Sequence, residues 1–246
     1  MKLSKSCLSL KFPSCVLKRF DPVYDQHEAI SDPHKDQPVR TVGIPLEMSK
    51  LVVILLHGRG GSPEDILEFS KVLSCDECTF LAPQAANGIW FPYPFTAPLE
   101  QNEPWLTSAL DRITNLIRQT LEVGINQDNL VILGFSQGAC LALEYAARHP
   151  KRYGAIIALS GGLIGPLKFP IQHIGNMDNT PIFIGCSDID PYIPLKRVQD
   201  TAKVFTELGA DVDKRIYPGF GHMINMDEIQ AIRALLRDLS KVTSGS

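Results

Sequence analysis

Five consecutive residues, Gly134-Phe135-Ser136-Gln137-Gly138, form a G-x-S-x-G motif. It follows the apolar run Leu130-Val131-Ile132-Leu133 and precedes the helical pattern of Ala139, Ala142, Leu143 and Ala146. A serine on a sharp strand-to-helix turn has an exposed hydroxyl and a strained backbone, and the flanking glycines leave out Cβ atoms that would strike neighbouring backbone. The N–H of Gln137, at the start of the helix, is placed to face a developing oxyanion, which the helix dipole also favours. A serine hydroxyl is a poor nucleophile at neutral pH, so a base must follow. His222 closes the stretch Tyr217-Pro218-Gly219-Phe220-Gly221-His222, between a strand expected over residues 214–217 and the last helix. His173 lacks such a setting, and His149 falls at the exposed end of the helix after Ser136.

An acid that orients the histidine belongs between them, in the chain order Ser, Asp or Glu, His. The run Pro181-Ile182-Phe183-Ile184 leads into Gly185-Cys186-Ser187-Asp188-Ile189-Asp190-Pro191. Asp190, deeper in the loop and directly before a proline, is preferred to Asp188, although periodicity does not separate the two. The second oxyanion donor is expected from His57-Gly58-Arg59-Gly60-Gly61, whose glycines let the backbone bend until the Arg59 N–H points toward Ser136. His57, just past a strand, reads as a hydrogen-bonding structural residue. The Arg59 side chain reads as an ion-pair partner of Glu64 or Asp65, with an acidic substrate as the other choice. Trp90 and Phe91, in the aromatic run Ile89-Trp90-Phe91-Pro92-Tyr93-Pro94-Phe95, either wall an acyl pocket or cover the core edge. Leu163, Ile164 and Met223 complete the expected substrate pocket. Residues 160–166 form a short glycine-rich turn where a helical lid would stand, so the cleft should be open.

These residues need a scaffold that gathers distant loops. Leu51-Val52-Val53-Ile54-Leu55-Leu56, residues 130–133, Ala155-Ile156-Ile157-Ala158-Leu159 and residues 181–184 are continuously apolar and rich in β-branched side chains. Strands buried on both faces have this composition, which implies a mainly parallel sheet. Helical patterns alternate with them: Leu106, Ala109, Ile113, Leu116, Thr120 and Leu121 up to Gly124; Ala139 to Ala146 up to Pro150; Val198, Thr201, Phe205 and Leu208 between Pro194 and Gly209; and Ile229, Ile232, Leu236 and Leu239 after an Asn225–Glu228 capping pattern. The order predicts one α/β domain over residues 41–246, a parallel central sheet with helices on both faces.

Composition narrows the function classes. Hydrophobic residues are 44% and charged residues 21% of the 246, an ordinary globular mixture. A net charge of −3 without a basic stripe argues against nucleic acid as partner. No apolar run approaches the roughly 20 residues of a bilayer span, so no stable membrane insertion is expected. Neither metal nor cofactor is called for, and the partner expected is a small-molecule ester; a homodimer is compatible with the sequence. The CxxC of Cys75 and Cys78 has no second pair at zinc-site spacing and is read as ordinary thiols. Free thiols suit a reducing compartment and a cytoplasmic location. Residues 1–40 carry Lys2, Lys5, Lys11, Lys18 and Arg19 before the first acid, Asp21, interspersed with serines. They are read as a disordered extension, with organelle targeting as the alternative, and residues 32–38 as linker.

From about Val42 onward the chain resembles the phospholipase/carboxylesterase family of α/β-hydrolases, which includes acyl-protein thioesterases. The likeness rests on Leu56-His57-Gly58, Ala82-Pro83-Gln84, Gly134-Phe135-Ser136-Gln137-Gly138, Asp188-Ile189-Asp190-Pro191-Tyr192-Ile193-Pro194 and Gly221-His222. The resemblance implies a triad of Ser136, Asp190 and His222, with backbone donors at Arg59 and Gln137. It also implies hydrolysis of carboxylic esters, or of thioesters or lysophospholipids by the same triad; a catalytically silent ligand-binding relative is the remaining alternative. Arg59 and Gly61 stand where the thioesterases typically have leucine and aspartate. That departure, with Glu100-Gln101-Asn102-Glu103-Pro104, resembles the bacterial carboxylesterase branch and argues against a lipidated-protein substrate, while the open cleft points to short- to medium-chain esters.

Overall fold

Side chains alternate across a strand, so each of the apolar runs faces two packed layers at once. In the computed structural model, which describes residues 32–167 and 173–242, they form a seven-stranded sheet. Its strands are β1 (Val39–Gly43), β2 (Leu51–Leu56), β3 (Cys78–Pro83), β4 (Leu130–Phe135), β5 (Ala155–Leu159), β6 (Pro181–Ser187) and β7 (Asp211–Tyr217). The spatial order is β1-β3-β2-β4-β5-β6-β7, with only β1 antiparallel to its neighbour. In β2, Val52, Ile54 and Leu56 enter one core layer, and Leu51, Val53 and Leu55 enter the other.

Helices α1 (Pro63–Leu73) and α5 (Met226–Val242) contribute to the second layer through Ile66, Phe69, Leu73, Ile229, Ile232 and Leu236. The first layer is completed by α2 (Trp105–Glu122), α3 (Gln137–Arg148) and α4 (Leu195–Glu207). The fold is thus an α/β-hydrolase sheet with helices on both faces. α3 is buried on nearly all sides, from Gln137 to Ala147, so it is a core helix rather than a surface one with a single apolar face. Conversely, Leu121 on α2 is 37% exposed and stands outside the face expected to contain it.

Three local expectations are corrected. Residues 32–38 are not a linker: His34 is fully buried, its backbone N–H donates to Ser108 Oγ (2.9 Å), and its Nδ1 accepts from Ala86 N (3.0 Å). Its ring lies 5.5 Å from those of both Trp90 and Trp105, so a polar residue is retained inside by satisfied hydrogen bonds and aromatic packing. β1 was not anticipated, because the strand lies on the sheet edge and its residues 40–43 lack the apolar run of a doubly buried strand. Finally, Cys75 and Cys78 are joined by a disulfide, while Cys140 and Cys186 are free and buried. Left-handed Ser74 (φ 51°) caps the end of α1 just before this pair, whose Cα atoms lie 5.4 Å apart. The expectation of a disordered or targeting extension over residues 1–40 lies, for residues 1–31, outside the described residues. Among the described residues, no helix is long and apolar enough to cross a membrane.

Candidate active site

β4 ends at Phe135 and α3 begins at Gln137, leaving Ser136 as a one-residue turn with φ 55° and ψ −118°. A non-glycine residue at positive φ is strained and persists only where its surroundings enforce it. Here Ser136 N donates to Leu159 O (2.9 Å), and Ser136 O accepts from Cys140 N (3.0 Å). The flanking glycines are obligatory for the space they leave empty. A Cβ on Gly134 would lie 2.2 Å from Gly138 O, and one on Gly138 would lie 2.1 Å from Leu56 O.

The loops after β6 and β7 bring the other two residues to this turn. His222 Nε2 lies 2.9 Å from Ser136 Oγ, and His222 Nδ1 lies 2.7 Å from Asp190 Oδ2. A carboxylate only accepts, so Nδ1 carries the proton and Nε2 is left to accept the serine hydrogen. The Asp190 side chain is fully buried. Burial would raise its pKa, but the bond and charge of His222, together with the Tyr192 and Ile193 N–H groups, outweigh it and hold the carboxyl below its ordinary range. Asp188 takes a different part: its Oδ1 accepts from Gly219 N (2.8 Å) and ties the histidine loop to the acid loop.

Two residues were not singled out in the sequence. Ser187 Oγ accepts from Ile189 N (3.2 Å), Phe220 N (3.2 Å) and Gly221 N (3.0 Å), joining the same two loops from beneath. Tyr192 sets its ring edge-on against His222, 4.9 Å between centroids, while Phe135 packs on the imidazole at 5.0 Å. A polar residue ending an apolar strand hints at Ser187. Nothing local marks Tyr192, whose contact with His222 spans thirty residues of sequence.

The loop after β2 lies close to the serine, since a Cβ on Gly58 would be 3.4 Å from Ser136 Cβ. His57 is buried and structural: Nδ1 donates to Gly58 O (2.8 Å), Nε2 accepts from Ala85 N (3.1 Å), and burial lowers its pKa. The expected pairing of Arg59 with Glu64 or Asp65 is not the one made. Glu64 pairs with Arg40 (2.8 Å), and Asp65 closes the capping box of α1 with Ser62. Arg59 Nη2 donates instead to the carbonyls of Phe91 (2.7 Å), Pro92 (2.9 Å) and, more weakly, Tyr93 (3.3 Å). Of the five side chains expected to line the pocket, Trp90, Phe91, Leu163 and Ile164 are buried in the core, and Met223 is 44% exposed. Trp90 is drawn inward because its Nε1–H donates to His57 O (2.8 Å) and its ring packs on His57. Among the described residues, no group of three or more His, Cys, Asp or Glu is arranged to hold a metal ion.

The arrangement can move a proton from Ser136 to His222 while Asp190 steadies the resulting imidazolium. The chain is similar to known carboxylesterases and thioesterases. A solved structure of a phospholipase/carboxylesterase from Dyadobacter fermentans superposes with a TM-score of 0.78 at 41% identity, covering 82% of this chain and 96% of that one. Acyl-protein thioesterase 1 of Debaryomyces hansenii is 28% identical over 228 residues, 83% of this chain and 97% of the relative. Carboxylesterase SOBER1 of Arabidopsis thaliana is 25% identical over 218 residues, 81% of this chain and 95% of the relative. The phospholipase/carboxylesterase family model matches residues 40–240. With the fold and this match together, the chain belongs to the phospholipase/carboxylesterase family of α/β-hydrolases, a hydrolase family.

Proposed function

We propose that this protein is a serine esterase acting on short- to medium-chain carboxylic esters. The reading is carried by the unbroken relay from Ser136 Oγ to His222 (2.9 Å) to Asp190 (2.7 Å) at a serine held at φ 55°. His222 Nε2 takes the hydroxyl proton as Oγ attacks the carbonyl carbon, and the carbonyl electron pair moves onto oxygen. The N–H groups of Arg59 and Gln137 receive that oxyanion, as the family's pattern implies. On collapse the alcohol leaves with the proton from His222, and water repeats the sequence to release the acid.

Substrate size follows from the surroundings. Ile189, Tyr192 and Met223, all exposed, belong to the two loops that carry Asp190 and His222. The larger aromatic and aliphatic side chains expected beside them are already packed away. Each buried acyl methylene gains roughly 0.8 kcal/mol only while wall remains to cover it. Activity on p-nitrophenyl esters should therefore rise from acetyl to medium chains and fall for palmitoyl, with no jump above the micelle threshold. A fluorophosphonate probe should label Ser136 in the wild type and not in Ser136→Ala; folded wild type that takes no label would end the serine-hydrolase reading. A thioester reading stands beside it, since the thioesterase named above is similar over nearly its whole length. Matched oxygen and sulfur esters of one acyl chain separate the two by their kcat/KM.

A further inference from the structure

Residues 90–93 belong to no helix or strand, yet side chains from several elements hold their backbone. Trp90 N donates to Gln137 Oε1 (2.9 Å), and Trp90 O lies 3.0 Å from His34 Nε2. Phe91 O accepts from both Gln137 Nε2 (2.7 Å) and Arg59 Nη2 (2.7 Å). Pro92 O accepts from Arg59 (2.9 Å), and Tyr93 N donates to Asn102 Oδ1 (2.9 Å). Irregular backbone with this many polar groups satisfied by side chains is rigid, not a loose loop.

Arg59 and Gln137, the two residues whose backbone N–H groups receive the oxyanion in the reading above, thus grip one carbonyl, that of Phe91. For Gln137 the grip is secondary, because its backbone already belongs to a buried helix. Arg59 differs. Its peptide sits between Gly58 and Gly60, with Gly61 beyond, and Gly60 is at φ 75°. Glycines on both sides leave a peptide unit conformationally free unless something outside the backbone restrains it. Gly60 N is tied to Gly88 O (2.7 Å) and Gly61 N closes a turn on Gly58 O (3.1 Å), and the guanidinium adds a side-chain restraint at the residue itself. One terminal nitrogen, Nη2, makes the bonds to all three carbonyls of residues 91–93, and a permanently charged guanidinium suits that task because it meets carbonyls without losing a proton.

We propose that the Arg59 side chain is a positioning group for its own backbone N–H, anchoring the oxyanion donor to the carbonyls of residues 91–93, of which that of Phe91 is shared with Gln137. The proposal rests on the serine-esterase reading. It differs from substrate binding by the guanidinium, because Nη2 donates to main-chain carbonyls of the protein itself.

The test uses Arg59→Met, which keeps length and loses the donors, and Arg59→Lys, which keeps charge and a donor but loses the planar guanidinium; the backbone N–H survives in both. Deleting an oxyanion donor outright costs about 10²–10³ in kcat, so misplacing one should cost roughly 10–100-fold in Arg59→Met and less in Arg59→Lys. KM should stay within about threefold. An alkyl trifluoromethyl ketone, which adds Ser136 Oγ and becomes an oxyanion, should weaken by the factor that kcat/KM loses. The matching dialkyl ether, which forms no oxyanion, should bind unchanged. Should Arg59→Met fail to fold, Arg59→Lys carries the same readouts. Folded variants with kcat and ketone inhibition within twofold of wild type would overturn the proposal, as would equal weakening of ketone and ether. A wild type that resists fluorophosphonate fails earlier and differently, by removing the serine reading itself.

Discussion

The turn that holds Ser136 and the paired loops that hold Asp190 and His222 reach the same site by different physics. Around Ser136 the geometry is enforced by contact: Cβ atoms on Gly134 and Gly138 would penetrate backbone at 2.2 and 2.1 Å. Around His222 there is room, for a Cβ on Gly219 or Gly221 would meet nothing within 4 Å. There the geometry is enforced by hydrogen bonds, with Ser187 accepting three N–H groups and Asp188 a fourth. One half of the site is thus sterically closed and insensitive to protonation. The other is open, polar and dependent on ionised or hydrogen-bonded side chains.

The largest effect should come from attacking the closed half. Gly138→Ala forces its new methyl into Leu56 O, and no flexible side chain is available to yield. A loss above about 4 kcal/mol is a large share of a domain's 5–15 kcal/mol stability, so little folded protein should be recovered. Gly221→Ala should fold with a Tm only a few degrees lower, since it has space and suffers mainly from its φ of 81°. Circular dichroism and thermal melts of both variants make the comparison. Equal tolerance would abolish the distinction between the halves.

Attacking the open half should spare the fold and damage the chemistry. Asp190→Asn should lower kcat by on the order of 10⁴, because an amide no longer selects the Nδ1–H tautomer of His222. Asp188→Asn retains an oxygen to accept Gly219 N and should stay within about tenfold. Steady-state kinetics on one ester suffices, and a reversed ranking would transfer the acid's role to Asp188.

The smallest effect is a slope. Glu228, on α5 behind β6, is 1% exposed, and burial pushes its carboxyl up to about 7 against Asn225 N–H, which lowers it. A folded pKa above the unfolded one means that the native state holds the proton more tightly. Stability from this group is complete below the unfolded value near 4.5 and is lost as pH rises through about 7. The full change is on the order of 3 kcal/mol. Urea melts of wild type should weaken from pH 5 to 8, and Glu228→Gln should flatten that trend. An identical slope in both proteins would show that Glu228 does not titrate in this window.

Much of this was legible in the chain itself wherever local sterics decide the outcome. A strand buried on both faces must be apolar throughout, so β2, β4, β5 and β6 were recognisable from composition, while of β7 only residues 214–217 were expected. A serine turn with no room for flanking Cβ atoms must read G-x-S-x-G, so Ser136 was marked before any contact was known. The last helix announced its Asn225–Glu228 cap because both partners lie within one turn, and Asn225 Oδ1 does accept from Glu228 N (3.0 Å).

The tertiary structure decided whatever depends on partners distant in sequence. Asp188 and Asp190 are chemically alike and two residues apart, and only the approach of the histidine loop sends one to His222 and the other to Gly219. Trp90 and Phe91 left a pocket wall and a core cover equally open until His57, 33 residues away, drew the indole inward. A polar His34 read as linker because burial of its imidazole is offset by bonds to Ala86 N–H and Trp90 O, which no window around residue 34 contains. Arg59 had two acids within six residues, yet its guanidinium lies on three carbonyls more than thirty residues away. Sequence spacing carries the sterics of neighbours, whereas hydrogen-bond choice among competing partners is settled only when the sheet brings its loops to one end.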